Sequence, residues 1–325
     1  MSDRTDAVVR RHGRVGKPWA LILAGGDGVR LRPLTRHIAG DDRPKQFCAL
    51  LGRDTLWQQT RRRAQLCVAP SRVVSVVTES HEPYYLLLLA GERATRVVVQ
   101  PENRGTGPGL LYGLIRLARV DSRAVVIVLP SDHWVSDDCA FMAHVDVALR
   151  TASTHPDLVT LLGIAPERPE AEYGWIEPGV PLTTDTRRVA RFWEKPAADV
   201  AAMVQALGGL WNSLVMVGHL GAFLDLFRET VPMLWEAFTP LRLSLGRLGE
   251  IQTARQVYTG LPVVDFSKFV LQAAPERLAV VPVRGVGWND LGDPTRLRMT
   301  QDLVSLTAAA DPMHHVTGNR VVSSY

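Results

Sequence analysis

Residues 21–35 read LILAGGDGVRLRPLT, an apolar run that leads into three glycines and then two arginines. Glycines at Gly25, Gly26 and Gly28 let backbone N–H groups approach a ligand closely. A phosphate group suits such a loop, and Arg30 would supply positive charge beside it. In an α/β sheet, ligands collect at the carboxyl ends of strands. The stretch therefore predicts a site for a phosphorylated ligand.

Two familiar phosphate loops do not match this stretch. A Rossmann dinucleotide loop has the pattern G-x-G-x-x-G at the start of a helix. Here Gly26 and Gly28 are followed by Leu31 where the third glycine would stand, and Pro33 disfavours an immediate long helix. A Walker loop needs a lysine directly after its last glycine, and none follows here.

Lysine usage singles out two further positions. The chain has 4 lysines against 33 arginines, and it places Lys45 in PKQF and Lys195 in EKP. The ammonium group is a compact point charge that suits phosphate oxygens. Lys17 and Lys268 are interpreted as ordinary surface residues.

The order of apolar runs and helical patterns predicts an α/β fold with a largely parallel sheet. Strands are expected at 19–24, 72–78, 96–100, 124–130, 158–164, 173–179, 189–196, 210–217 and 278–283. Helices are expected at 55–68 with Asp54 as N-cap, 82–91, 107–119, 138–150, 197–207 and 220–238. Residues 1–17 and 311–325 are expected to be a flexible tail and a loose C-terminus. The domain between them, 18–310, changes its pattern near residue 165.

Composition narrows the class of protein. The 325 residues are 46% hydrophobic and 22% charged, which suits a globular chain with a substantial core. No apolar run approaches the roughly 20 residues of a membrane helix, and no signal peptide is visible. Three scattered cysteines form no disulfide framework, so a cytoplasmic location is expected. The net charge of +4 suits phosphorylated small molecules, and the arginines form no stripe for nucleic acid.

The glycine loop and PKQF together resemble the sugar-phosphate nucleotidyltransferase family, whose pattern is G-G-x-G-x-R-L-x-P-L-T/S followed by P-K. PKQFCALLG is similar to the mannose-1-phosphate guanylyltransferase branch. Further counterparts follow in the same order: QPENRGTGPG, VLPSDHWV, YGWI, FWEKP, WNS and WNDLG. The resemblance covers residues 19–300. It implies a GT-A/Rossmann-like fold with a mixed, mostly parallel central sheet flanked by helices, a nucleotide-binding part over about 18–165 and a smaller sugar-binding lobe over about 166–310.

The resemblance also implies a reaction and its residues. A sugar 1-phosphate oxygen would attack the α-phosphorus of a nucleoside triphosphate, and pyrophosphate would leave. Arg30 and Lys45 would act on the phosphates, and Asp132 and Asp290 would hold Mg²⁺. The implied nucleotide-binding residues are Leu23, Gly25, Gly26, Gly28, Gln100, Arg104, Thr106 and Pro130. The implied sugar-phosphate residues are Gly174, Glu194, Lys195 and Asn212.

Each of these residues also has an ordinary structural interpretation. Asp132 could cap a helix, Asp290 could belong to a turn, and Glu194 with Lys195 could be a surface ion pair. The functional interpretation is preferred because all of them fall in one ordered pattern. His133 is interpreted as a structural or supporting residue rather than a metal ligand.

Four features depart from the family pattern. Gly105 stands where asparagine is usual, Leu214 replaces a glycine, Arg32 replaces a tryptophan, and the segment 36–43 is longer than expected. GTP with mannose 1-phosphate is the expected substrate pair. Another nucleotide and sugar, or a catalytically silent regulatory paralogue that binds a sugar nucleotide, are the alternatives. The oligomeric state is left open, with a homo-oligomer as one option.

Overall fold

A nine-stranded mixed sheet runs through the part of the chain that the computed structural model describes, residues 17–90 and 96–310. Its order is β3-β2-β1-β4-β8-β5-β9-β7-β6, with β8 also pairing with β6. The strands are β1 Trp19–Leu23, β2 Val73–Thr78, β3 Arg96–Gln100, β4 Val125–Pro130, β5 Val159–Ile164, β6 Trp175–Pro181, β7 Arg187–Trp193, β8 Leu210–His219 and β9 Leu278–Val283.

The strand directions confirm the expected α/β fold. β1 to β4 are parallel neighbours, and β5 and β9 form a second parallel pair. β8 runs antiparallel between β4 and β5, and β7 runs antiparallel to β9 and β6. Most strands therefore point in one direction, with β7 and β8 against them. The apolar runs of β2, β4 and β5 are buried along their whole length, as expected of strands covered on both faces.

Helices cover both faces of the sheet. They are α1 Arg32–Ala39, α2 Leu56–Gln65, α3 Glu82–Leu89, α4 Thr106–Val120, α5 Asp138–Thr154, α6 Ala198–Ala206, α7 Leu220–Thr230, α8 Pro232–Ala237, α9 Thr239–Ser244, α10 Glu250–Thr259 and α11 Pro294–Ala310. None of the helices within the described ranges is long and apolar enough to cross a membrane.

Two expectations about helices were wrong. The single helix expected over 220–238 is broken into α7 and α8, because Pro232 has no N–H to continue the hydrogen-bond ladder. The N-cap of α2 is Thr55, which forms a capping box with Gln58, rather than Asp54. Asp54 instead forms an ion pair with Arg62.

The sequence predicts that both ends of the chain lie outside the folded domain. Residues 1–16 and 311–325, where a tail and a loose C-terminus were expected, lie outside the described residues, and Lys17 leads directly into β1. The helix α11 was not expected. The two parts expected on either side of residue 165 share one sheet, because β5 pairs with both β8 and β9.

A small apolar cluster fixes the segment that follows the glycine loop. Leu31 from that segment packs with Leu56 of α2, with Leu291 from the loop before α11, and with Leu297 of α11. These residues are almost completely buried. The cluster therefore holds the beginning and the end of the domain together, apart from the two large clusters on the faces of the sheet.

Candidate active site

The carboxyl ends of β1 and β4 meet at one edge of the sheet, where Leu23 and Pro130 are register partners. The glycine loop follows β1, and Asp132 follows β4 at the same edge. A cleft of about 320 Å³ opens there. Its lining contains the expected residues Leu23, Gly25, Gly26, Gln100, Thr106, Pro130 and Asp132, together with Gln46, Asn103, Gly105, Ser131, His133, Leu214 and Asp265.

A second cavity of about 270 Å³ adjoins this cleft at Asp132, which lines both. Its lining includes Gly28, Arg30, Lys45 and Gly292. The arrangement separates a larger cleft from a smaller cavity that carries Arg30 and Lys45, the two cations expected to act on phosphates.

The glycine loop is fixed by side chains from other segments. Gln46 Nε2 donates to the carbonyls of Ala24 and Gly26 at 3.1 and 2.7 Å. Thr78 Oγ1 donates to the carbonyl of Gly25 at 2.9 Å. A Cβ on Gly25 would lie 2.2 Å from Gln100 Nε2 and 3.0 Å from Thr78 Oγ1, so a larger residue there would displace these side chains. Gln46 was not singled out by the sequence, although it stands inside PKQF.

Lys45 joins the segments that carry the two expected metal ligands. Its side chain is almost buried, and Nζ lies 3.2 Å from Asp132 Oδ2. The same ammonium donates to the backbone carbonyls of Asp290 at 2.5 Å and Leu291 at 3.1 Å. Two aspartates that are remote in the sequence are thus gathered around one cation.

The electrostatics of this group favour an ionised Asp132. Burial acts to raise its pKa, but the charge of Lys45 and the hydrogen bond from its ammonium outweigh burial and hold the pKa below the usual range. His133 Nε2 lies 3.6 Å from Asp132 Oδ1. Burial lowers the pKa of His133, and its ring packs edge-on against Trp288 at 5.2 Å between centroids. His133 is therefore a neutral neighbour, in line with the sequence interpretation.

Asp290 is held by three donors on one oxygen. Its Oδ1 accepts from the Tyr173 hydroxyl at 2.7 Å, from the Gly292 N–H at 3.0 Å and from Arg296 Nη1 at 3.1 Å. Tyr173 is the first residue of the quoted YGWI, whereas Arg296 belongs to none of the quoted motifs. Neither was predicted as a site residue.

The donor set fits Mg²⁺ bound jointly with a nucleotide. Within residues 17–90 and 96–310, no group of three or more His, Cys, Asp or Glu side chains is arranged to hold a metal ion alone. Asp132 and Asp290 offer two carboxylates. Mg²⁺ is commonly bound through one or two carboxylates plus phosphate and water oxygens.

The expected sugar-phosphate residues form a second group. The Asn212 N–H donates to the Gly174 carbonyl at 2.8 Å, and the side chains of Glu194 and Asn212 bound the space beside Gly174. Burial, reinforced by the charge of Asp265, raises the pKa of Glu194 to about 7. Lys195 is exposed, has a φ of 45°, and places Nζ 3.8 Å from Glu194 Oε1.

Two expected arginines differ in their positions. Arg30 lines the smaller cavity, but its side chain is 63% exposed and Nη1 lies 3.6 Å from Glu172 Oε2. Arg104 does not line the cleft, and its guanidinium pairs with Glu102 at 2.9 Å. The structure therefore brings Arg30 to the smaller cavity and does not bring the Arg104 side chain into the larger cleft.

Two departures from the family pattern lie in the cleft itself. Gly105 has a φ of 87° and a ψ of 177°, and a Cβ there would lie 2.5 Å from the Val264 carbonyl oxygen. Leu214 lines the cleft with a φ of 56°, which is unusual for a residue with a side chain. Both sites are shaped by backbone conformations that favour glycine.

The longer segment 36–43 is stabilised by its own ion pairs. Asp42 pairs with Arg36 at 2.6 Å, and Asp41 pairs with Arg43 at 2.7 Å. Residues 36–39 of this segment form the last turn of α1, which ends at Ala39.

Comparisons with known proteins show which family the chain is similar to. The nucleotidyl transferase family model matches residues 19–304. The xanthan biosynthesis protein XanB of Xanthomonas campestris pv. campestris is 31% identical over 276 residues, 84% of this chain and 57% of XanB. The mannose-1-phosphate guanylyltransferase of Salmonella muenchen is 29% identical over 278 residues, again 84% of this chain and 57% of the relative. The chain thus spans little more than half the length of these curated relatives.

A solved structure is similar to this chain in both fold and sequence. The crystal structure described as mannose-1-phosphate geranyltransferase from Thermus thermophilus superimposes with a TM-score of 0.73 and 34% sequence identity. The superposition covers 85% of this chain and 77% of that one.

Proposed function

The chain belongs to the nucleotidyl transferase family, and on that premise we propose that it transfers a nucleotidyl group from a nucleoside triphosphate to a sugar 1-phosphate. The observation that carries the proposal is the convergence of Lys45 on Asp132 and on the backbone of Asp290 between the two adjoining cavities. A buried cation at that point suits the crowded negative charge of a phosphoryl-type transition state.

The proposed chemistry needs positioning more than proton transfer. A sugar phosphate oxygen attacks the α-phosphorus, the bond from the α-phosphorus to the bridging oxygen breaks, and pyrophosphate leaves with that oxygen. The attacking phosphate is already ionised at neutral pH, since its second pKa is about 6. No general base is therefore required, and the chain acts by holding and neutralising phosphates.

Each side chain has a task in this proposal. Lys45 stabilises the charge that develops at the α-phosphate, and Arg30, on an exposed and adjustable side chain, reaches the leaving phosphates. Asp132 and Asp290 would hold Mg²⁺, which neutralises phosphate charge. Glu194 and Asn212 bind and orient the sugar phosphate beside Gly174.

GTP and mannose 1-phosphate are the proposed substrates. Support for this pair comes from PKQFCALLG and from the named activity of the Salmonella muenchen relative. The cleft lining differs from the family pattern at two positions, Gly105 and Leu214. These two residues would set any difference in base or sugar preference.

Pyrophosphate release across a grid of nucleoside triphosphates and sugar 1-phosphates, with Mg²⁺, tests the proposal. We expect the highest kcat/KM for GTP with mannose 1-phosphate. Asp132→Asn should lower kcat by roughly 100-fold or more, since it removes a carboxylate at the phosphates. Asp137→Asn is the matched control, because Asp137 only caps α5 and asparagine caps equally well.

The outcomes separate the reaction from the substrate pair. A maximum at another pair would retain the nucleotidyl transfer and refute GTP with mannose 1-phosphate. Nucleotide binding without turnover for any pair would refute the reaction and favour a regulatory sugar-nucleotide-binding protein.

A further inference from the structure

Arg296 lies at the centre of a buried group of charges behind Asp290. The residue is 6% exposed, and it belongs to the first turn of α11. Its Nη2 lies 2.6 Å from Glu170 Oε2, and its Nε lies 3.2 Å from Asp293 Oδ2. Its Nη1 lies 3.1 Å from Asp290 Oδ1. One guanidinium thus contacts three carboxylates, and its position is set from every side.

The anchorage of Arg296 is itself rigid. Asp293 Oδ1 accepts the backbone N–H groups of Thr295 and Arg296 at 2.8 and 3.0 Å, which fixes the start of α11. The guanidinium also lies over the Tyr173 ring, 4.6 Å from its centroid. Leu297, the next residue, is buried in the small cluster with Leu31 and Leu291.

The two oxygens of Asp290 are treated differently by this arrangement. Oδ1 receives three donors at 2.7 to 3.1 Å, from Tyr173, Gly292 and Arg296. Among the described residues, the one contact to Oδ2 is a long one of 3.4 Å from Arg296 Nη1. The Tyr173 hydroxyl is a donor here, because the carboxylate oxygen that it contacts can only accept. The carboxylate is held in one orientation with one oxygen left largely unsatisfied.

The charges of the group do not cancel. The cations in this contact network are Arg296, Lys45 and Arg168, whose Nε lies 3.5 Å from Glu170 Oε2, and the carboxylates are Asp132, Glu170, Asp290 and Asp293. Lys45 links the two ends by its contacts to Asp132 and to the Asp290 carbonyl. Three cations face four carboxylates in this network, so it keeps a net negative charge, which favours the approach of a cation.

We propose that Arg296 is a positioning residue for Asp290: it fixes the carboxylate so that Oδ2 is the oxygen available to a divalent cation bound with the nucleotide. The inference rests on the proposed function for the identity of that ligand. Residues that orient a metal ligand typically change metal affinity roughly 10- to 100-fold when they are replaced. This role predicts that Arg296 affects the affinity for the cation without contacting the cation itself.

Mn²⁺ is the probe, and the protein–GTP complex without sugar phosphate is the sample, so that no turnover occurs. Free Mn²⁺ is followed by electron paramagnetic resonance, and GTP affinity is measured separately in EDTA. Arg296→Met should weaken Mn²⁺ binding roughly 10- to 100-fold and change GTP affinity in EDTA less than about twofold. Arg296→Lys should fall between Arg296→Met and the wild type. Arg298→Met, at an exposed arginine on the same helix, should match the wild type.

Tyr173→Phe keeps the inference testable if Arg296→Met does not fold. It removes one of the donors to Oδ1, so it should also weaken Mn²⁺ binding while GTP affinity in EDTA is retained. Unchanged Mn²⁺ affinity in a folded Arg296→Met protein would overturn the inference, as would a loss of thermal stability alone. A wild-type complex that binds Mn²⁺ no more tightly than GTP alone does would also overturn it.

The same data distinguish this inference from the proposed function. Suppose that the wild type shows protein-dependent Mn²⁺ binding that Arg296→Met weakens, but that none of the sugar 1-phosphates tested leads to pyrophosphate release. In that case only the proposed function fails. If the wild type turns over and Arg296→Met retains full Mn²⁺ affinity, only the positioning role fails.

Discussion

Trp134 and Asn289 pair as an isolated antiparallel bridge, with the backbone N–H of each donating to the carbonyl of the other at 2.9 Å. The bridge joins the loop after β4, which carries Asp132, to the loop before α11, which carries Asp290. Lys45 approaches from a third segment and closes the group. The proposed catalytic centre therefore forms only when three remote segments pack together.

Lys45→Met should damage both catalysis and folding. It removes the positive charge at the proposed α-phosphate position, so kcat should fall roughly 100-fold or more. It also leaves Asp132 without its cation, which should lower the free energy of unfolding by about 2 kcal/mol. Pyrophosphate release and urea unfolding measure the two effects. Lys17→Met, at an exposed lysine outside the site, is the control; full turnover in Lys45→Met would exclude a catalytic role.

At position 214, glycine should give a more stable variant than alanine, which is the reverse of the usual order in a strand. A residue with a side chain in the left-handed region is strained by about 1–2 kcal/mol, and Leu214 has a φ of 56°. Alanine would lose the apolar contacts and keep the strain, whereas glycine would lose both. Leu214→Gly should therefore be more stable than Leu214→Ala by about 1 kcal/mol in urea unfolding.

Leu210, on the same strand, supplies the comparison for that order. It is buried and is not among the described residues with positive φ. Leu210→Gly should be less stable than Leu210→Ala, as in an ordinary strand. The same order at both positions would show that strain at Leu214 is not significant. Leu214→Gly also enlarges the cleft, so kcat/KM for the proposed sugar should fall relative to bulkier sugars.

Local patterns were sufficient for the strands and the glycine loop. Apolar runs such as 125–130 form buried strands because both faces of the sheet are covered, and β1 ends where the glycines begin. The single helix expected over 220–238 was wrong because Pro232, which is visible in the sequence, cannot continue the hydrogen-bond ladder of α7 and instead begins α8. The sequence could thus give the elements and the order of the motifs.

Local sequence patterns could not predict the side-chain contacts between remote segments. Arg296 looks like any arginine on a predicted helix face, and only its burial against Glu170, Asp290 and Asp293 distinguishes it. Gln46 likewise contacts the glycine loop through a turn whose geometry is not encoded by spacing. Arg104 matched the motif, yet its guanidinium turns to Glu102. Side-chain direction depends on packing between remote segments, which one sequence does not specify.

Restoring the family asparagine at Gly105 should destabilise this chain. The backbone there, φ 87° and ψ 177°, is essentially restricted to glycine, and a Cβ would lie 2.5 Å from the Val264 carbonyl oxygen. Gly105→Asn and Gly105→Ala should each lower the free energy of unfolding by about 3 kcal/mol, without tighter GTP binding. Gly221→Ala, where a Cβ meets nothing within 4 Å, is the control. A stable Gly105→Asn protein with improved GTP affinity would contradict this account of the loop.

Glu194 should make stability depend on pH through its raised pKa. Burial, with the charge of Asp265, raises this pKa from 4.5 to about 7 in the folded protein. Below pH 4.5 both states are protonated. As pH rises toward 7 the unfolded chain loses its proton first, so stability is lost, and above about pH 7 the loss is constant. The difference in unfolding free energy between Glu194→Gln and the wild type should therefore depend on pH. It should favour the variant by about 2 kcal/mol more at pH 8 than at pH 5. Urea unfolding at both values measures it, with Glu276→Gln at an exposed glutamate as control; an equal difference at the two values would mean that Glu194 titrates normally.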